Sequence, residues 1–314
     1  MKYSSIILFL LFPLFLVAQT VEPIYIILNG DVTNPDQEVS GLAWHNDDLI
    51  VLPQYPQDVI YSIPKVEILQ FLDSTKSTIL PKEIKWNSNN IDKKICGFEG
   101  FESIAFENDK VYLTIEAEKW NRNRGYLVKG NINGDSIILD KNTLRKVKTP
   151  IHLRNITYET ILLTNTSVNT IYEVNSATVN KKPHYFQFDM ELKNCSTKPF
   201  PFVEYRITDA TEVDSENKFW AVNYFWPGDY NLLKPDLEYK ISNKKDIKPV
   251  ERLIEFKLIE DEIVRTERQP INIKLSEFGD SRNWEGIVRL DDIGFLIATD
   301  KFPGTILAFL PYSE

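Results

Sequence analysis

The 314-residue chain is poor in the residues that carry most compact catalytic motifs. It has two cysteines and three histidines. No histidine lies near another, or near a cysteine, in a metal-binding spacing, which argues against zinc. There is no Gly-rich phosphate loop, no Ser-His-Asp order and no paired-cysteine motif. Bases are outnumbered, 36 against 45 acids, for a net charge of −9. Neutralising a nucleic-acid backbone needs a dense basic face, so that partner class is set aside. Beyond the first residues no apolar run approaches the roughly 20 residues that a membrane-spanning helix needs.

What is present is a large apolar content, 43% hydrophobic and 12% aromatic, ample for a folded core. The first 18 residues read as a signal peptide. Lys2 supplies the positive end, Ile6 to Val17 the short apolar stretch, and Leu16-Val17-Ala18 a small-residue cleavage site before Gln19. Residues 19–314 are then expected as one secreted or periplasmic domain, a monomer without a membrane span. In an oxidising compartment Cys96 and Cys195 would be natural partners. The repeat assignment below puts them on opposite faces, so two free thiols are expected.

The chain reads as short alternating strands and Asn/Asp-rich turns, with no amphipathic helix of useful length. Five segments share one layout of strand, tight turn and strand. Their first strands open at Ser40, Glu102, Glu159, Asp209 and Glu285. Further strand-like runs follow each pair, and four-stranded units repeated at this spacing predict an all-β, five-bladed β-propeller. The long gap from Asp209 to Glu285 leaves room for a sixth blade. The last unit has three strands of its own, and Pro23 to Leu28 is expected to supply the fourth and close the ring.

In a propeller the first strand of each blade lines the central channel. Ser40, Glu102, Glu159, Asp209 and Glu285 are therefore expected to converge there. Four carboxylates in a narrow channel repel and lose hydration. A hard cation with oxygen ligands, Ca²⁺ above all, is the simplest compensation, with an arginine such as Arg206 as a helper. The bland alternative is that these side chains cap backbone amides of the inner strands.

This order of openers resembles the calcium-dependent nucleotidases (apyrases), five-bladed propellers with a central Ca²⁺. Tyr112-Leu113 followed by Glu118-Lys119-Trp120 is similar to that family's second-blade exit, and Trp284-Glu285-Gly286-Ile287 to its last-blade opener. The resemblance implies Ca²⁺ as cofactor and a phosphorylated substrate. Asp209 departs from the serine of that pattern, and Val174-Asn175-Ser176-Ala177 lacks its basic loop. The phrases Glu102-Ser103-Ile104-Ala105-Phe106 and Glu285-Gly286-Ile287 also resemble the phytase-like and esterase-like propeller domains of secreted bacterial proteins.

The loops at one end of the disc carry Lys119, Arg122, Arg124, Arg154, Arg206, Arg282 and Lys301 beside Tyr55, Trp120, Phe225, Trp226 and Phe302. Cations beside aromatic walls suit an anionic small-molecule substrate. Glu116 and Asp300, at strand exits, are placed to activate a water. Two functions stand open: a Ca²⁺-dependent hydrolase of phosphorylated or ester substrates, or a non-catalytic propeller that binds a glycan, peptide or surface partner.

Overall fold

The computed structural model describes residues 19–233, 247–260, 262–277, 281–301 and 304–312. The signal-peptide expectation, and Phe302, lie outside them. Two short N-terminal strands, β1 (Thr20–Val21) and β2 (Ile24–Ile26), precede the repeats. The first repeat is β3 (Val39–His45), β4 (Asp48–Pro53), β5 (Val59–Pro64) and β6 (Lys82–Asn87). The second is β7 (Phe98–Glu107), β8 (Lys110–Glu118), β9 (Asn123–Asn133) and β10 (Ser136–Val147). The third is β11 (Tyr158–Leu163), β12 (Ser167–Tyr172), β13 (His184–Asp189) and β14 (Cys195–Pro199). The fourth is β15 (Arg206–Ala210), β16 (Lys218–Phe225), β17 (Val250–Ile259), β18 (Glu262–Arg265) and β19 (Ile271–Ile273). The last is β20 (Trp284–Leu290), β21 (Gly294–Thr299) and β22 (Leu307–Pro311).

Within each repeat neighbouring strands pair antiparallel. The first and second repeats share an eight-stranded sheet, because β6 and β10 pair in parallel at their outer edges. The inner strands neighbour one another in the order β3, β7, β11, β15, β20 and back to β3. That closed circuit is propeller architecture. The inner edges of the sheets face one another around the axis, short and protected.

The hydrophobic side chains do not form one core. They form five clusters, each wedged between adjacent repeats. One joins Ile50, Leu52 and Trp86 of the first repeat to Phe101, Leu113 and Leu139 of the second. Another joins Ile171 and Tyr185 of the third to Phe219 and Phe256 of the fourth. Alternation along each strand explains this. Successive side chains point to opposite faces, and both faces of each sheet are covered by a neighbour.

The expected closing strand is present. β2 pairs antiparallel with β22, Ile24 opposite Phe309. A second tie was not legible: β1 pairs in parallel with β19 of the fourth repeat. The N-terminal segment thus bridges two repeats. Beside the strands stand two short helices, α1 (Lys65–Leu72) and α2 (Ile91–Lys94). Eight and four residues are too few for periodicity to stand out. Ile68 alone is fully buried in α1. Cys96 and Cys195 are both free and exposed, as expected, although Cys195 begins a strand and does not lie in a loop.

Arg282 belongs to this framework and not to a ligand face. It is 1% exposed. Its Nε (3.0 Å) and Nη2 (2.7 Å) donate to Glu251 Oε2, its backbone N–H to Glu251 Oε1 (2.9 Å), and its Nη1 to the Tyr25 hydroxyl (2.6 Å). Trp284 Nε1 completes the Glu251 carboxylate at 2.7 Å. The cluster ties β17 of the fourth repeat to the start of β20 and to β2, so the expectation that Arg282 binds substrate is corrected. Removing one partner of a buried, hydrogen-bonded ion pair leaves the other charge uncompensated. Arg282→Ala is therefore expected to destabilise the fold by about 3–5 kcal/mol in urea unfolding. A loss within experimental error of zero would contradict this assignment.

Candidate functional site: a carboxylate ring around the axis

The inner strands carry a shared irregularity. Register shifts fall between Val39 and Gly41, Phe101 and Ser103, Tyr158 and Ile161, Ile207 and Asp209, and Trp284 and Gly286. The residues set out of register are Ser40, Glu102, Glu159, Thr208 and Glu285. A bulge leaves its extra residue unpaired and re-aims its side chain. The sequence alignment is therefore off by one in the fourth repeat, where the opener is Thr208 and not Asp209.

Hydrogen bonding supports this register. The Ser40 hydroxyl donates to the Phe101 carbonyl at 2.6 Å, just before the opener of the next repeat. The Thr208 hydroxyl donates to the Trp284 carbonyl at 2.5 Å, the matching position one repeat on. Asp209 instead occupies the crowded position shared with Gly41, Ser103 and Gly286. A Cβ at Gly286 would come within 2.7 Å of Leu42, and one at Gly41 within 3.3 Å of the Ser103 backbone. Asp209 Oδ2 accepts the Ile287 N–H at 3.0 Å, and Oδ1 faces the Ser103 hydroxyl at 3.4 Å. For Asp209 the capping alternative holds. Its carboxyl is pushed well above the usual range by burial, opposed by those hydrogen bonds.

A second set sits where the neighbouring strands end: Gln54, Glu116, Glu173, Tyr224 and Asp300. Each follows the residue paired with the one before the opener. Glu116 and Asp300 were expected here. Glu173 was not, although it stands 14 residues after its opener, as Gln54 and Glu116 stand after theirs. That spacing was the available signal.

The electrostatics bring these groups together. Burial first, then hydrogen bonding from Gln54 and repulsion from Glu173 and other carboxylates, leave Glu102 at about 8. Glu116 rises to about 9, through burial and then Glu102 and Glu173. Glu159 and Glu285 lie well above the usual range for the same reasons. Glu173 is raised by burial too, but Arg206 opposes that shift through charge and a hydrogen bond. Arg206 Nη1 donates to Glu173 Oε1 at 2.8 Å and Nε to Asp229 Oδ2 at 2.7 Å. Hydrogen bonding from Glu159 also lowers Glu173, on the same side as Arg206.

Neutral amides hold the remaining acids. Gln54 Nε2 donates to Glu102 (3.1 Å) and Asn123 Nδ2 to Glu116 (2.9 Å). Asn283 Nδ2 donates to Asp300 (3.0 Å) and to Glu285. Of the other expected ligand-face residues, Lys301 pairs with Glu38 at 2.8 Å. Lys119 contacts Cys96 Sγ at 2.9 Å and covers the ring of the exposed Trp120. Arg154 and Trp226 are exposed. The structure brings Arg206 into the ring and leaves Lys119, Trp120 and Arg154 at the periphery.

An all-oxygen donor set suits a hard cation such as Ca²⁺. Glu159 Oε2 and Glu173 Oε2 are buried without a hydrogen-bond donor, the atoms such an ion would take. Yet among the described residues no three Asp, Glu, His or Cys side chains converge to hold a metal ion. Burial and mutual repulsion raise the proton affinity of these carboxyls.

No family model and no curated protein matches this sequence. The fold has solved counterparts. A structure from the GH130 family of mannoside phosphorylases, described as containing glycoside hydrolases that target β-1,2 mannosidic linkages in Candida mannan, shares 9% identity. It covers 88% of this chain and 84% of its own, with a TM-score of 0.51. A glycosyl hydrolase from Bacteroides ovatus shares 9% identity over 88% of this chain and 86% of its own, TM-score 0.51. An exo-β-1,3-galactanase from Clostridium thermocellum shares 10% identity over 93% of this chain and 62% of its own, TM-score 0.51. At such identities the likeness shows a shared propeller fold. None of these three is described as a nucleotidase or a phytase, so the resemblance to those families is supported for the propeller alone.

A carboxyl with a raised folded-state pKa binds its proton more tightly when folded. Its contribution to stability is complete below the unfolded value of 4.5 and is lost as pH rises through the folded value, about 8 for Glu102 and about 9 for Glu116. The thermal midpoint is thus expected to fall steadily from about pH 5 to about pH 9. Glu102→Gln should flatten the profile, and chelator should leave it unchanged. A midpoint that rises over this range, or that collapses with chelator at pH 7 and recovers with Ca²⁺, would replace protons with a metal ion.

Proposed function

We propose that this chain is a glycoside hydrolase built on a five-bladed propeller, each strand–turn–strand repeat counting as one blade, with its chemistry at the axial carboxylates. The observation that carries the reading is the unequal treatment of neighbouring acids. Arg206 opposes the burial-driven rise at Glu173, whereas Glu285 and Glu102 are raised by burial and neighbouring carboxylates without such a cation against them. Glycosidic cleavage needs one carboxylate to act as base or nucleophile and one carboxylic acid to protonate the leaving oxygen, and environments that push two pKa values apart assign those roles. Glu173 takes the first role. Glu285, the least buried of the three opener glutamates, takes the second, with Asp300 and Asn283 orienting it. The aromatic side chains Tyr55 and Trp226 suit a carbohydrate substrate, since aromatic faces pack against sugar rings.

The glycan reading is preferred to the phosphorylated or ester substrate, because the solved counterparts named above are described as glycoside hydrolases or a galactanase. A non-catalytic glycan-binding propeller is the competing outcome.

The test is reducing-sugar release from β-linked mannan, galactan and arabinan panels. Glu173→Gln and Glu285→Gln are each expected to lower kcat by at least about 100-fold, the usual scale for acid–base catalysis. The exposed Glu212→Gln should leave it unchanged. Arg206→Ala should move the acidic limb of the pH–rate profile upward, because Glu173 loses the cation that keeps it ionised. Glycan binding without turnover in the wild type would favour the binding module. Turnover indifferent to Glu173 and Glu285 would place the chemistry elsewhere.

A further inference from the structure

A second feature adjoins the ring. A cleft of about 490 Å³ opens beside the second repeat, lined by Arg122, Asn123, Arg124, Lys146, Lys148, Thr149 and His152 along with Val147. Four permanent cations face one concavity, and its lining contains no carboxylate, in a chain whose net charge is −9. Like charges gathered in one place raise the free energy of the empty site and are offset when an anion enters. Chance solvation of surface lysines does not account for the segregation. The strand segment Asn123–Arg124 and the end of β10 at Lys146–Val147 are neighbours across the β9–β10 pairing, Val147 opposite Gly125, so the sheet supports two of the four cations, Arg124 and Lys146.

A second observation points to the same ligand. Asn123 forms part of the wall and is 1% exposed. Its Nδ2 is committed to Glu116 and to the Ile156 carbonyl (3.2 Å). Its Oδ1 is buried without any donor. A buried amide oxygen lacking a donor favours a ligand that brings a hydroxyl. The Thr149 hydroxyl, which donates to the Asn123 backbone carbonyl at 3.2 Å, lies in the same lining. Cations and a hydroxyl acceptor in one cleft match a sugar bearing an acidic substituent. Through Asn123 the wall reaches Glu116, a member of the carboxylate ring.

We propose that this cleft is a subsite for an anionic saccharide, a sugar unit carrying carboxylate, sulfate or phosphate, seated next to the axial carboxylates. The proposal rests on the glycan reading for its substrate class, but its test is binding and needs no turnover. Guanidinium groups pair bidentately with carboxylate, sulfate or phosphate alike, so the structure names the shared chemistry and the probes separate the sources.

The experiment is calorimetric titration of the wild type with trigalacturonate, a sulfated chondroitin disaccharide and glucose 6-phosphate. Neutral galactotriose, inorganic sulfate and inorganic phosphate serve as controls. At least one acidic saccharide is expected to bind at least tenfold more tightly than both its neutral control and the free anions. The double charge reversal Arg122→Glu/Lys148→Glu, both positions exposed, should abolish that binding while the thermal midpoint stays near wild type. Asn123→Asp would disturb the ring, so Arg124→Gln is the second variant, expected to weaken binding at least fivefold. Equal affinity for free anions, binding indifferent to these variants, or no acidic saccharide bound would overturn the proposal. Acidic-saccharide binding that persists in Glu173→Gln, with no hydrolysis by the wild type, would uphold the subsite and reject the hydrolase. Hydrolysis of neutral glycans with no binding of acidic ones would do the reverse.

Discussion

The crowding of buried carboxylates around a single guanidinium is the constraint on which the site depends. Five bulged inner strands bring Glu102, Glu159 and Glu285 to the axis, and the adjoining strand ends add Glu116, Glu173 and Asp300. One ion-paired arginine, Arg206, reaches into this group. Several negative charges cannot share so small a desolvated volume. Burial and repulsion therefore raise the proton affinity of Glu102, Glu116, Glu159 and Glu285, and Arg206 opposes that rise at Glu173. The electrostatic asymmetry follows from the sequence: the position two residues before the opener is arginine in the fourth repeat, but glutamate, glycine, threonine and asparagine in the others.

The propeller makes this arrangement reproducible. Each inner strand carries the same register shift at its opener, with small residues at Gly41 and Gly286 where neighbours approach closely. Asp209 takes the equivalent place in the fourth repeat and reaches across to Ser103 and Ile287, linking three inner strands. The Arg282–Glu251–Trp284 cluster holds the fourth and last repeats together further from the axis. Framework and site thus use the same residue types for different purposes. Burial with full pairing marks the first, and burial with donors missing marks the second.

Much of the fold was legible because strand–turn–strand units recur with turn residues at regular spacing. The closing role of Pro23 to Leu28 followed from counting strands. What was not legible depended on single-residue register. Asp209 looks like an opener because a carboxylate is conspicuous in a list of acids, whereas the true opener, Thr208, is identified by a bulge that no local sequence pattern displays. Arg282 looked like a ligand-binding cation because its loop lies at the correct end of the disc. Its partner Glu251 is 31 residues away in sequence, in the middle of an ordinary strand. Glu173 could have been found, since its offset from the opener repeats that of Glu116. The short helix α1 could not, because eight residues carry little periodicity.

The central claim is that protons, shared out by Arg206, keep the axial carboxylates together. Infrared spectroscopy of the folded protein tests it directly, because a protonated carboxyl absorbs apart from a carboxylate. At pH 7 the account predicts a band from protonated, buried carboxyls that diminishes in Glu102→Gln and Glu116→Gln and disappears as pH rises through about 8 to about 9. Absence of that band at pH 7, with a stoichiometric divalent ion in the same sample, would contradict it.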